Sequence, residues 1–434
     1  MTTVSDRPAS EVASPKADQK MTIVSSDGHV GPSLRYNLRD YVEQKHLEVF
    51  DEFTDKMEKY RETATAEVLG GLPDDFVLAL IERSVVEGLQ DPNARLADMD
   101  KDGLAADVIF HGGANGEAFP FSMFSLASWE GEVAYNELEG VGAQIYNRWL
   151  KDYCSADPDR LIGIGYTTVR DIPEAIKIAK EAAEAGFRGL NFPAPRSDFM
   201  SYTNEAWDPF FEVCQDLGLT LCTHLGGGDL KINEGLAGPG AQPIFAVEFG
   251  WLGRRGLWHL ILSGAFHKFP GLKFSLTEAW GDWVPQTLTT MDSAYLSPTF
   301  GDHLRKLMPN KPSEYFATNC YIGASFMSRH EAEMGIAAGM TSRMMWGADY
   351  PHPEGSWPFS LLSLRKTMAG LPGDVVQSYL SGTAAKAYNL HLGVLGDVAE
   401  RVGPTFGALM EPYTGFPEEA FSATCAFRDV GFLS

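Results

Sequence analysis

Cysteine pairs are missing from this chain. Its five cysteines, Cys154, Cys214, Cys222, Cys320 and Cys425, are odd in number and far apart, and no CxxC spacing occurs. That counts against a disulfide framework and against a cysteine-built zinc site, and it leaves free thiols in a reducing compartment. Long apolar runs are missing too: nothing approaches the roughly 18 consecutive apolar residues a membrane span requires. Positive charge is scarce. The 35 Lys and Arg residues face 58 Asp and Glu, a net charge of −23. Nucleic acid and anionic membrane surfaces would repel such a chain, so neither is expected as a partner. Residues 1–20 lack the apolar stretch of a secretory signal and read as a disordered tail. A cytoplasmic protein with a small-molecule partner is expected.

What is present is an alternation of short apolar strands with amphipathic helices. A first strand ends at Val24, and a long helical insertion follows, over about 34–100. Its apolar stripe comprises Tyr41, Val42, Val49, Phe50, Phe53, Met57 and Tyr60. The later strands are read in DVIFHGG (107–113), LIGIGYT (161–167), RGLNFP (188–193), LTLCTHLGGG (219–228), KFSLTEAWG (273–281), SEYFATNCYIGAS (313–325) and MMWGADYPHPEG (344–355). Helices are read between them, as in DIPEAIKIAKEAAEAG (171–186), with an aspartate cap, an early proline and a terminal glycine. Strands alternating with helices imply parallel βαβ units, and eight strands fit an α/β fold of the closed (β/α)8 barrel type. The barrel is assigned to 21–395. Residues 396–434 show no strong periodicity and form a C-terminal extension packing on the barrel or on a partner subunit.

In such a barrel the active site gathers at the C-terminal ends of the strands. The polar residues found there are Asp27 and His29, His111, His224, Glu278 and Asp349. Asp27 and His29 lie two apart, so on a strand both side chains point the same way and can reach one ion. Alone, Asp-Gly-His reads more readily as a turn. The joint placement of histidines and carboxylates points instead to a site for zinc, manganese or iron.

The order Asp-x-His on the first strand, THLGGG on the fifth and GADYPH on the eighth resembles the amidohydrolase-related family. The stretches MDKDGLAADVIF, YCSADPDRLIGIG, SGAFHKFPGLKFSLTE and GTAAKAYNL extend the resemblance over about 21–390. It implies Asp27, His29, His224 and Asp349 as metal ligands, and a metal-dependent hydrolase or carboxy-lyase acting on a small to medium, aromatic or apolar, carboxylate, ester or amide. Many relatives carry a histidine near the end of the sixth strand, where this chain has Glu278. RGLNFP offers no lysine or glutamate to bridge two metals, which favours one ion. A second ion held by Glu278 and His111 stays open. So does a non-haem iron oxygenase, possibly diiron, because the carboxylate-rich ligand set also suits oxygen activation. Glu278, His352 and His111 are the candidate catalytic groups. The insertion and the glycine-rich stretch 226–243 read as lid elements, and Trp251, Trp280, Trp283 and Trp357 suit an aromatic substrate. Family habit implies a homodimer.

Overall fold

Each strand of this protein is short and buried along its length, which requires cover on both faces and suits a closed parallel sheet. The structure is a computed structural model that describes residues 14–69, 74–121, 132–226, 240–417 and 426–429. Eight parallel strands follow one another in chain order. They are β1 (Val24–Val30), β2 (Ala106–His111), β3 (Leu161–Tyr166), β4 (Gly189–Asn191), β5 (Thr220–His224), β6 (Lys273–Thr277), β7 (Cys320–Ser325) and β8 (Met344–Gly347). The ring is drawn together at β1 and the chain just past β8. There the Asp349 N–H donates to the Asp27 carbonyl at 2.9 Å, and the His29 N–H donates to the Tyr350 carbonyl at 2.6 Å. The fold is a (β/α)8 barrel.

Between β1 and β2 lie α1 (Leu47–Leu69), α2 (Asp74–Ser84) and α3 (Pro92–Asp102), which fill the expected insertion. The helices that follow are α4 (Glu139–Cys154), α5 (Ile172–Glu184), α6 (Asp208–Leu217) and α7 (Ala241–Leu262). Helix α5 shows why these segments form. The Asp171 carboxylate accepts from the Glu174 N–H at 2.9 Å, Pro173 sits in the first turn, and Ala175, Ile178, Ala179 and Ala182 bury one face. The alternating residues Ala106, Val108 and Phe110 share one apolar cluster with Ile162, Ile164, Tyr321 and Met345, joined by Tyr388 and Leu395 from the last helices.

Several boundaries differ from the sequence reading. Val24 begins β1 rather than ending it, because the polar run SSDGH is itself buried strand. Helix α7 is long, running from Ala241 to Leu262. The C-terminal region is also regular, with amphipathic helix Leu392–Val402 burying Leu395 and Ala399. Residues 16–20, read as tail, run against this region: the Gly407 N–H donates to Ala17 and the Phe406 N–H to Gln19. Residues 1–13, Cys425 and most of the stretch 226–243 lie outside the described residues. The other four cysteines are buried free thiols. Among the described residues no helix is long and apolar enough to cross a membrane.

The end of α3 holds a titratable tie. Asp102 is buried and accepts from the N–H of Ser360 at 3.1 Å and from its hydroxyl. Burial pushes its carboxyl up to about 7, against the pull of the Ser360 bonds and with help from Asp98 and Asp107. A raised folded-state pKa means the folded protein binds the extra proton. The resulting stability is full below the ordinary value of 3.8 and is lost as pH rises through about 7. Urea unfolding at pH 5 and pH 8 is expected to show the wild type losing about 1–3 kcal/mol more than Asp102→Asn across that window. Equal losses in the two proteins would contradict this role for Asp102.

Candidate metal centre

Ligand atoms of Asp27, His29 and His224 lie within 4.8 Å of one another. So do those of His29, Asp349 and His352, and those of Glu278, Asp349 and Glu354. Shared members make the three groups one cluster where β1, β5, β6 and β8 end. Asp27 Oδ1 stands 3.1 Å from His224 Nε2 and 3.4 Å from His29 Nε2. Asp349 Oδ1 stands 3.2 Å from His29 Nε2 and 3.0 Å from His352 Nδ1. The Ser325 hydroxyl, at the end of β7, donates to Asp27 Oδ2.

The three histidines follow one rule. His29 Nδ1 faces the His111 carbonyl at 3.3 Å, His224 Nδ1 the Leu225 carbonyl at 2.8 Å, and His352 Nε2 the Gly112 carbonyl at 2.9 Å. A carbonyl only accepts, so each of these nitrogens carries the proton in the neutral ring. The other nitrogen of each ring then turns a lone pair toward Asp27 or Asp349. Lone pairs facing carboxylates repel unless a proton or a metal cation lies between them. Fixing the tautomer through the far ring nitrogen is also how metal-binding histidines are held. His29 Nε2 and both Asp349 carboxylate oxygens are buried without a hydrogen-bond partner. Such atoms are costly to bury unless something pairs with them, and a divalent cation fits this donor set of histidine nitrogens and carboxylate oxygens.

The charges respond to this crowding. Burial raises the proton affinity of Asp27, but His224 and then His29 outweigh it and hold the carboxyl far below the usual range. Burial and the His352 charge pull His29 down, and its contacts with Asp27 and Asp349 carry it above its ordinary value. Burial pulls His352 down as well, and Asp349 lifts it well above. Burial, then Asp349 and Asp27, push Glu278 well above the normal carboxyl range. Burial and Asp349 also raise Glu354, against the charge of His352.

The structure thus brings together Asp27, His29, His224, Asp349, Glu278 and His352. It does not bring in the ring of His111, which lies among Phe119, Tyr146 and Tyr166. Burial and the charge of His29 depress His111 to about 3, so it is neutral, and its carbonyl serves His29. Trp357 packs on Tyr350 and Arg83. The sequence reading missed Ser325 and Glu354. Ser325 ends β7 and carries the same strand-end signal that picked out the others. Glu354 lies in a turn-rich loop beyond β8, where no periodicity marks it.

Gly28, between the first two ligands, is fixed by what lies beneath it. A Cβ there would stand 2.4 Å from Arg95 Nη2 and 2.5 Å from Asp107 Oδ2. Arg95 is fully buried. It donates through Nε to Asp107 at 3.1 Å and through Nη1 to the His29 carbonyl at 3.1 Å, and its guanidinium lies 3.5 Å from the centre of the Tyr350 ring. One cation therefore braces the backbone on both sides of the barrel seam.

A parallel (β/α)8 barrel with histidines and carboxylates converging where its strands end is an enzyme barrel, with its chemistry at that mouth. A family profile described as Amidohydrolase matches residues 92–390, and the chain belongs to that family. The 5-carboxyvanillate decarboxylase of Sphingomonas paucimobilis is similar in structure, with a TM-score of 0.59 and 21% identity over 86% of this chain and 100% of that one. The 5-carboxyvanillate decarboxylase of Novosphingobium aromaticivorans, solved with bound manganese, gives a TM-score of 0.60 at 18% identity over 87% of this chain and 99% of that one. A 2,6-dihydroxybenzoate decarboxylase from Rhizobium gives 0.56 at 16% identity over 85% and 99%. No curated protein sequence matches the chain.

Proposed function

We propose that this protein is a divalent-metal-dependent carboxy-lyase acting on a small aromatic carboxylate, with Asp27, His29, His224 and Asp349 holding the ion. One observation carries the reading: the buried, unpartnered His29 Nε2 stands between Asp27 Oδ1 at 3.4 Å and Asp349 Oδ1 at 3.2 Å, with His224 Nε2 3.1 Å from the same Asp27 oxygen. Manganese is the preferred ion, because half of this donor set is carboxylate and the Novosphingobium neighbour holds manganese. A bound ion would supply a Lewis acid for the substrate carboxylate.

The chain's own groups do the rest. Loss of carbon dioxide leaves a ring carbon that must receive a proton. His352 is placed to carry one at Nδ1: Asp349 raises its proton affinity, and the Gly112 carbonyl fixes its ring. Its stacking on His29, with ring centres 4.3 Å apart, holds it beside the ligands. Phe110, 5.0 Å from the His224 ring, and the buried Trp280 beyond β6 supply apolar walls that suit an aromatic ring. The oxygen-activating alternative draws no support from the similar structures, which are decarboxylases and amidohydrolases by name.

The test is a panel of hydroxylated benzoates given to manganese-loaded protein, with carbon dioxide release recorded. Release is expected, abolished by a chelator and restored by manganese. Manganese at about 100 times its dissociation constant is also expected to stabilise the fold by about 2.7 kcal/mol. Ester or amide cleavage without carbon dioxide would replace the carboxy-lyase by a hydrolase. A metal-free protein of unchanged activity would sink the metal reading.

A further inference from the structure

We propose that Glu278, Asp349 and Glu354 form a second cation site beside the first, with Asp349 as the bridging carboxylate. This rests on the reading of the first site and extends it to a two-ion centre. Ligand atoms of the three carboxylates lie within 4.8 Å of one another. Three carboxyl groups this close can all be ionised only with a cation between them. Among the described residues no Lys or Arg pairs with Glu278 or Glu354. The nearest basic partner of Glu278 is His224 Nδ1 at 3.8 Å, and that nitrogen already serves the Leu225 carbonyl.

Asp349 is the decisive residue. It is fully buried, and neither carboxylate oxygen has a hydrogen-bond partner. Asp349 Oδ1 faces His29 and His352 much as Asp27 Oδ1 faces His29 and His224, but Asp27 Oδ2 accepts from Ser325 while Asp349 Oδ2 has no such partner. A buried carboxylate with one oxygen turned to the histidines and the other without a partner, shared by two clusters of ligand atoms, is the arrangement that spans two ions. Such paired ions stand roughly 3.5–4 Å apart in two-metal enzymes.

The backbone is shaped for this. Glu278 and Asp349 each sit just past a strand end at positive φ, 55° and 58°. Non-glycine residues seldom adopt that region, and strain of this kind gathers at functional sites. Glu354 is brought in by Gly355, where the loop folds back on the end of β8. A Cβ on Gly355 would stand 2.5 Å from the Ala348 carbonyl oxygen and 2.6 Å from that of Asp349. The all-carboxylate donor set suits a hard divalent ion such as Mn²⁺ or Mg²⁺. This replaces the sequence expectation of a second ion on Glu278 and His111: Glu278 remains, and Glu354 and Asp349 stand where His111 was expected.

The experiment loads the full-length protein with Mn²⁺, removes free metal, and measures bound manganese together with its electron paramagnetic resonance spectrum. Two ions per chain and the multiline spectrum of a coupled pair are expected. Glu354→Gln is expected to reduce this to one ion per chain and a six-line spectrum, with thermal unfolding confirming that the variant folds. His224→Ala is expected to disturb the first ion. One ion per chain in the wild type, unchanged in Glu354→Gln and lost in His224→Ala, overturns the second site and leaves the first intact. No bound ion in the wild type overturns both. The wild-type spectrum decides the matter even if a variant misfolds.

Discussion

Replacing Asp349 by glycine is expected to lower metal affinity by at least about 100-fold, since even losing a group that merely supports a ligand costs 10–100-fold. Turnover of any substrate should fall with it. Glycine is the right replacement because Asp349 has φ 58°. Alanine there would add left-handed strain to the loss of the carboxylate, and glycine does not. Metal analysis after dialysis gives the first readout and turnover at saturating manganese the second. Cooperative thermal unfolding shows that the barrel survives. A variant that keeps its full metal content would show that Asp349 is no ligand, and the proposed centre would fall with it.

Arg95→Leu is expected to destabilise the fold by about 3–5 kcal/mol, because it strands the buried Asp107 carboxylate without its partner. It also removes the donor to the His29 carbonyl and the cation beneath Tyr350. The double change Arg95→Leu with Asp107→Leu should recover much of the loss, since removing both members of a buried ion pair is often close to neutral. Urea unfolding of the four proteins in this cycle measures the coupling directly. Additive losses would mean that the pair does not act as a unit. Arg95→Lys should not rescue, because an ammonium cannot bond Asp107 and the His29 carbonyl in the planar geometry that Arg95 uses.

Much of the architecture was legible because its determinants are local. Capping, helical periodicity and short apolar strands repeat often enough to count eight parallel strands, and Asp171 with Pro173 marks the start of α5 without tertiary information. The candidate ligands were legible for a related reason. A barrel strand must end where its chemistry begins, so Asp27, His29, His224 and Asp349 stand out as polar endings to apolar runs. Where the reading slipped, a local rule met a tertiary exception. SSDGH looks like a turn, yet it is strand, because Ser25, Asp27 and His29 find polar partners inside the protein. His111 ends its strand as the others do, but its ring turns into an aromatic cluster, and no strand-end pattern reports where a ring points. Glu354 becomes part of the site only because the chain doubles back at Gly355.

The seam of the barrel has a consequence for how the protein is made. Asp27 and His29 leave the ribosome before His224. Asp349 comes out after all three. The bonds that join Asp27 to Asp349 and His29 to Tyr350 are also the bonds that shut the ring. Until Asp349 emerges, a nascent chain lacks one side of the cluster and its ring stays open. An ion held by all four residues would be captured only once the barrel closes, and chains stalled before residue 349 would lack the complete cluster.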